Sequence, residues 1–160
     1  MLEAYRQHTA DRAALGIPPL PLDAEQTSAL CELLQHPPAG EEANLIALLR
    51  DRVPPGVDPA AYVKAGFLTG IVTGKITSPL INKVESIELL GTMLGGYNVR
   101  SLIDLLQSDN TELATAAVKA LSKIVLVYDA FNDVWELSQT NPYAKQVIDA
   151  WAKDQICFLS

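Results

Sequence analysis

The segment TELATAAVKALSKIVLVYD, residues 111–129, limits the possible folds more than any other stretch of the chain. Apolar residues recur at Leu113, Ala116, Ala117, Ala120, Leu121, Ile124 and Val127. Those intervals follow the helical period of about 3.6 residues and not the strand period of about 2. Alanine fills much of the stripe, so a second helix can approach closely along it. Either Thr111 or Asn110 can cap the start, and Glu112 suits the positive end of the helix dipole. Just upstream, SLIDLLQSDN reads as another amphipathic helix closed by a polar turn. Helix, short turn, helix with a small-residue inner face is the unit of an α-solenoid.

The remainder of the chain repeats that grammar. A helix is expected from Glu3 to Leu15, stopped by Gly16 as a left-handed cap. IPPLPL, residues 17–22, cannot be helical, because its prolines fix φ and remove donors. It is expected as an extended strap with Ile17, Leu20 and Leu22 packed inward. Asp23 caps the second helix, whose stripe is Leu30, Leu33 and Leu34. Glu41 and Glu42 open the third, with Leu45, Ile46, Leu48 and Leu49 apolar and Arg50 and Arg52 near its end. Asp58-Pro59, a cap followed by proline, starts the fourth. Its Gly66 and Gly70 have the spacing of a close helix contact.

Gly74 and Pro79 bound the next loop, and NKVESIELLGTML is a fifth helix ended by Gly95-Gly96. A sixth runs from Tyr97 to Gln107, and the seventh is the stretch from Thr111 to Asp129. A kink at residues 129–132 precedes a short helix capped by Asn132, and Asn141-Pro142 starts the last helix, Tyr143 to about Ile156. LCELLQ, LIALLR, SIELLG and LIDLLQ share an x-L/I-x-x-L-L pattern, counted from Leu30, Leu45, Ile87 and Leu102, at unequal separations. The expectation is all-α: an α-solenoid of about eight or nine helices in antiparallel pairs, with residues 1–160 as one domain. The chain stops on the apolar CFLS, which reads as a domain excised from a longer protein.

Composition narrows function by exclusion. A net charge of −7 with no basic stripe argues against a nucleic-acid surface. Cys31 and Cys157 are far apart and belong to no metal-ligand spacing, so they read as reduced, buried thiols. No run approaches the about 20 apolar residues of a membrane span, and the start carries no signal-peptide core; a cytoplasmic protein is expected. His8 and His36 lack partners at ligand spacing and read as a solvated helix residue and a helix-end cation. Glu41 with Glu42, and Asp104 with Asp109, read as solvated faces and caps. No phosphate loop occurs, and Ser101 and Ser122 fall inside helices, away from any nucleophile elbow. Trp135 and Trp151 read as core or docking anchors. No catalytic, cofactor-binding or metal-binding residue is expected. Tyr97, Asn98 and Arg100, following a glycine break, are candidates for an exposed interaction edge, as are Phe158 and Leu159 at the apolar end.

Three strings carry a resemblance: MLEAYRQHTADRAALGIPPLPLDAEQT, RVPPGVDPAAYVKAGFL and ESIELLGTMLGGYNVRSLIDLL; the tail NPYAKQVIDAWA fits as well. Together they resemble the N-terminal domains of the bacterial aconitase B family, across essentially the whole chain. The resemblance implies a HEAT-like α-solenoid in a parent lyase that interconverts citrate and isocitrate through cis-aconitate, and hydrates 2-methyl-cis-aconitate. It implies a [4Fe–4S] cluster in that parent. The cluster needs three cysteine ligands, and two cysteines cannot supply them, so ligands and substrate residues are expected beyond Ser160. The implied partners are the protein's own catalytic domains, a second copy in a homodimer, and a protein regulator. The family's cluster-free form is associated with messenger RNA, which makes an RNA-binding module the alternative reading.

Overall fold

A computed structural model describes residues 1–124, 127 and 130–154. They form nine α-helices and no strand. The helices are α1 (Leu2–Ala14), α2 (Ala24–Gln35), α3 (Glu42–Asp51), α4 (Pro59–Thr73), α5 (Lys83–Leu90), α6 (Val99–Leu105), α7 (Thr111–Leu121), α8 (Ala130–Ser138) and α9 (Pro142–Asp154). Four consecutive hairpins, α2/α3, α4/α5, α6/α7 and α8/α9, stack through α2 on α4, α5 on α7 and α7 on α9. The helical-pair repeat expected from the sequence is therefore the architecture.

The repeated leucine strings make the core. Leu30 and Leu34, Leu45 and Leu49, and Leu102 and Leu106 are fully buried pairs one helical turn apart. In SIELLG the first place of the pair is Ser86, equally buried, whose hydroxyl donates to the Asn82 carbonyl while Leu90 keeps the second place. The alanine stripe of α7 is buried at Ala117 and Ala120 as expected but only half-buried at Ala116, while Ala114, outside the expected stripe, is fully buried; a Cβ on Gly91 would lie 2.8 Å from the Ala120 Cβ. Asn110, not Thr111, is the cap, its side-chain oxygen accepting from the Glu112 and Leu113 amides. Asp23 forms a reciprocal capping box with Gln26, and Asn141 caps α9 through the Tyr143 and Ala144 amides.

Several expectations needed correction. In the strap only Leu22 is buried, at 1% exposure; Ile17 and Leu20 face solvent, because the strap is held through its backbone. The Tyr5 hydroxyl donates to the Leu20 carbonyl, Arg52 Nη2 donates to the Pro19 and Leu20 carbonyls, and the Leu22 amide donates to the Arg52 carbonyl. Gly66 is exposed with no neighbour, and Gly70 is approached by the Ile76 side chain, so the pair marks no helix contact. Asp58 sits at the N-cap of α4 without a side-chain cap bond, leaving Pro59 to set the start. α5 ends at Leu90 with Gly91 as its C-cap, well before Gly95-Gly96, and α6 starts at Val99. α7 ends at Leu121, short of the expected Asp129, and α8 begins at Ala130, so Asn132 lies inside it. Residues 128, 129 and 155–160, including Cys157, Phe158 and Leu159, lie outside the described residues.

Because each hairpin reverses direction, the connections sort onto two edges. On one, Ser78 Oγ donates to the Leu34 carbonyl and Asn141 Nδ2 to the Leu106 carbonyl. On the other, the Leu94 amide donates to the Pro55 carbonyl, Arg100 pairs with Asp133, and Trp151 Nε1 donates to the Leu121 carbonyl. This second edge collects the strap, residues 52–58, residues 91–98, the start of α8 and the last turns of α9.

Candidate functional site

The second edge carries the most distinctive surface. Pro54, Pro55 and Gly56 bring the α3–α4 connection over the turn that follows α5. Gly95 is required there: a Cβ would collide with the Gly56 carbonyl. Gly96 turns the chain at φ +87°, which favours glycine. Tyr97 then stands against the first turn of α4. Its ring meets Tyr62 edge to face with centroids 5.3 Å apart, and its hydroxyl donates to the Val57 carbonyl at 3.1 Å. The result is an apolar cluster in solvent: Val57 is 71% exposed, Tyr62 65%, Leu94 64% and Tyr97 39%. Contiguous apolar side chains of this kind mark contact surfaces more often than single exposed ones do.

Of the sequence-nominated residues, Tyr97 and Arg100 belong to this edge. Arg100 is exposed and pairs with the Asp133 carboxylate at 2.7 Å, tying α6 to α8. Asn98 does not belong to the surface. It is fully buried and its amide donates to the Leu90 and Met93 carbonyls at 2.6 and 3.2 Å, so it satisfies the end of α5. Val57, Tyr62 and Leu94 were missed. Each is a single apolar residue in a turn or on an exposed helix face, and no periodicity singles it out.

Reaction chemistry finds little footing. A cavity of about 460 Å³ lies under α1 between Tyr5, Arg6, Thr9, Asn44 and Arg52. Its charges are already engaged: Arg6 with Glu41, and Arg52 with the Tyr5 hydroxyl and the strap carbonyls. That pairing holds the Glu41 carboxyl below its ordinary range. A groove of about 560 Å³ between α4 and α6 is lined by Thr69, Ser101, Lys83 and Asp104, where the two hydroxyls bond each other at 2.9 Å. No histidine lines it to activate them. His8 is not simply solvated, since its Nε2 accepts from the Leu20 amide and pins the strap. Trp135 is half exposed, whereas Trp151 is engaged with Leu121 and stacks on Phe131.

Two buried groups remain. Lys64 is 1% exposed; burial pushes its ammonium down to about 8, against the pull of Asp51. Beside it, burial and the Glu32 carboxylate push the Cys31 thiol up to about 12, so it stays protonated and poorly suited to metal. Among the described residues no group of three or more His, Cys, Asp and Glu side chains could hold a metal ion. An iron–sulfur cluster held by three cysteines does not fit this chain. No helix among the described residues is long and apolar enough to cross a membrane.

A stack of helical hairpins with an apolar, aromatic edge defines an all-α domain built from repeated helix pairs. The chain belongs to the family described as "Aconitate B N-terminal domain", which matches residues 4–156. It is 67% identical over 153 residues to "Aconitate hydratase B" of Synechocystis sp., covering 96% of this chain and 18% of that protein. The Escherichia coli (strain K12) protein of the same name is 59% identical over 95% of this chain, and the Helicobacter pylori one 44% over 94%. Again the chain spans 18% of each of those relatives' length.

Proposed function

We propose that residues 1–160 are the non-catalytic, N-terminal interaction domain of a cytoplasmic aconitate hydratase. That enzyme interconverts citrate and isocitrate through cis-aconitate and also hydrates 2-methyl-cis-aconitate. Carrying this reading is the 67% identity over nearly the whole chain to a protein of that name, of which this domain is 18%. The interior supports it: Arg6 pairs with Glu41 at the cavity under α1, the Thr69 and Ser101 hydroxyls in the α4–α6 groove bond each other, and the described cysteine is protonated and buried. In this reading the [4Fe–4S] cluster and the substrate-binding residues belong to the rest of the enzyme. The domain's partners are its own catalytic domains, with dimerisation and a protein regulator as further uses of its surface. A net charge of −7 disfavours RNA as its direct ligand.

The test uses the full-length protein and two separately expressed pieces, residues 1–160 and the remainder. The full-length protein is expected to interconvert citrate and isocitrate after cluster reconstitution, and residues 1–160 alone to be inert. The two pieces are expected to co-purify. A full-length protein without aconitate hydratase activity, or turnover by residues 1–160 unaided, overturns the reading.

A further inference from the structure

We infer that His8 is a proton-sensitive latch: its neutral ring fastens the strap, residues 17–22, to α1, and a proton on that ring loosens the strap from the end of the helical stack.

The hydrogen bond itself fixes the protonation state. His8 Nε2 accepts from the Leu20 amide at 3.0 Å. A backbone amide can only donate, so Nε2 must keep its lone pair and the ring must be neutral, with its proton on Nδ1. A proton added to Nε2 sets N–H against N–H and ends the bond. The strap has few other amides to lean on, because Pro18, Pro19 and Pro21 supply none. The Ile17 amide donates to the Arg12 carbonyl and the Leu22 amide to the Arg52 carbonyl, at the two ends of the strap. His8 serves the amide between them.

The surroundings add a second penalty. Arg12 Nε donates to the Pro18 carbonyl, and Arg52 Nη2 donates to the Pro19 and Leu20 carbonyls. Guanidiniums from α1 and from the end of α3 therefore flank the same three strap residues, and an imidazolium at His8 is a third cation among them. The strap carries no ionisable side chain. Tyr5, its ring centroid 5.8 Å from that of His8, has its hydroxyl engaged by the Leu20 carbonyl and Arg52 Nε. Of the nearby carboxylates, Asp11 accepts from Gln7, Glu41 pairs with Arg6, and Asp23 caps α2.

Little apolar burial opposes the release. Tyr5 is the buried residue of α1 and Leu22 that of the strap. Beneath α1 lies the cavity of about 460 Å³, with Tyr5, Thr9, Pro19, Leu48 and Arg52 in its wall. Segments with few buried contacts and exposed hydrogen bonds open locally before the rest of a fold does. Imidazole changes charge between about pH 8 and pH 5, so this opening falls within a range that a cell can reach.

Hydrogen–deuterium exchange of the full-length protein, read by mass spectrometry on peptides covering the strap, tests the latch. Samples are labelled at about pH 8 and about pH 5, for times scaled to the intrinsic exchange rate at each pH. Strap protection is expected to fall by about threefold to tenfold at the lower pH, the worth of one exposed hydrogen bond, while α4 and α7 keep theirs. His8→Gln and His8→Ala cannot titrate, so their strap protection, corrected in the same way, is expected to be the same at both pH values. In His8→Ala it should stand at the parent's low-pH level. Unchanged strap protection in the parent overturns the inference. So does a fall of the same size in either variant, which would assign the titration to another group. An equal loss in α4 and α7 also overturns it, because the acid would then be opening the whole domain.

Discussion

The Tyr97 hydroxyl donates to the Val57 carbonyl at 3.1 Å, across 40 residues of sequence, and so locks the turn after α5 to the turn before α4. The lock has two parts of unequal weight. The hydroxyl bond is exposed, so Tyr97→Phe is expected to cost no more than about 0.5–1 kcal/mol. Gly95 underlies the same junction, where a Cβ would overlap the Gly56 carbonyl and crowd the Val57 nitrogen. Backbone cannot swing away as a side chain can, so Gly95→Ala is expected to cost about 1–3 kcal/mol or more. Urea denaturation of both variants checks the order, and equal midpoints would show that the junction yields freely.

A comparable close approach joins α5 to α7. A Cβ on Gly91 would lie 2.8 Å from the Ala120 Cβ and 3.1 Å from its Cα. Gly91 has an ordinary helical φ of −64°, so alanine there meets no backbone penalty. Packing alone sets the sign. Gly91→Ala is expected to destabilise by about 1–3 kcal/mol by forcing the two helices apart. Ala120→Gly in the Gly91→Ala background should recover part of that loss, less about 1 kcal/mol for glycine in a helix. Two losses that simply add in a double-mutant cycle would refute the contact.

These contacts show which parts of the fold the sequence makes legible. Helix-forming stripes, the caps at Asp23 and Asn141 and the stop at Gly16 are local, and their signals sit within a few residues of what they specify. The alanine stripe of α7 even announced a close neighbour, although not that Gly91 would supply it. What escaped is non-local. The edge cluster is assembled from two turns and the first turn of α4, and no period links Val57 to Tyr97. The strap misled because apolar residues there were read by hydrophobicity, while Tyr5 and Arg52 hold it by its carbonyls. Asn98 misled because a polar residue after two glycines resembles a surface turn. Lys64 gave no signal, since one lysine in an apolar helix reads as a solvated position.

Asn98 separates structure from surface. Its amide donates to two carbonyls at the end of α5 while fully buried. Asn98→Ala leaves both carbonyls without that donor and is expected to cost about 1–3 kcal/mol. Asn98→Asp should cost more, because a carboxylate replaces the donor with negative charge facing two carbonyl oxygens. Denaturation measurements check both. A variant that folds with parental stability would place Asn98 among the surface residues after all.

Lys64 gives the domain an expected pH signature. Burial lowers its folded-state value to about 8 from 10.5. Asp51 pulls the other way, Arg50 adds to the lowering, and the neighbouring Cys31 thiol stays neutral with its value near 12. Below about 8 both the folded and the unfolded chain carry this proton, so the cost of the buried charge is fully present and does not vary with pH. Between about 8 and 10.5 the unfolded chain holds a proton that the folded chain has released, so stability from this group rises with pH. Lys64→Met removes the charge and keeps most of the side-chain volume. It is expected to stabilise the domain by about 1–3 kcal/mol below pH 8, an upper range set by about 1.4 kcal/mol for each tenfold change in proton affinity. The gap between variant and parent should then close as pH approaches 10.5. Urea denaturation of both proteins across that interval decides the matter: a gap that stays constant with pH means that the ammonium reaches water or a partner in solution.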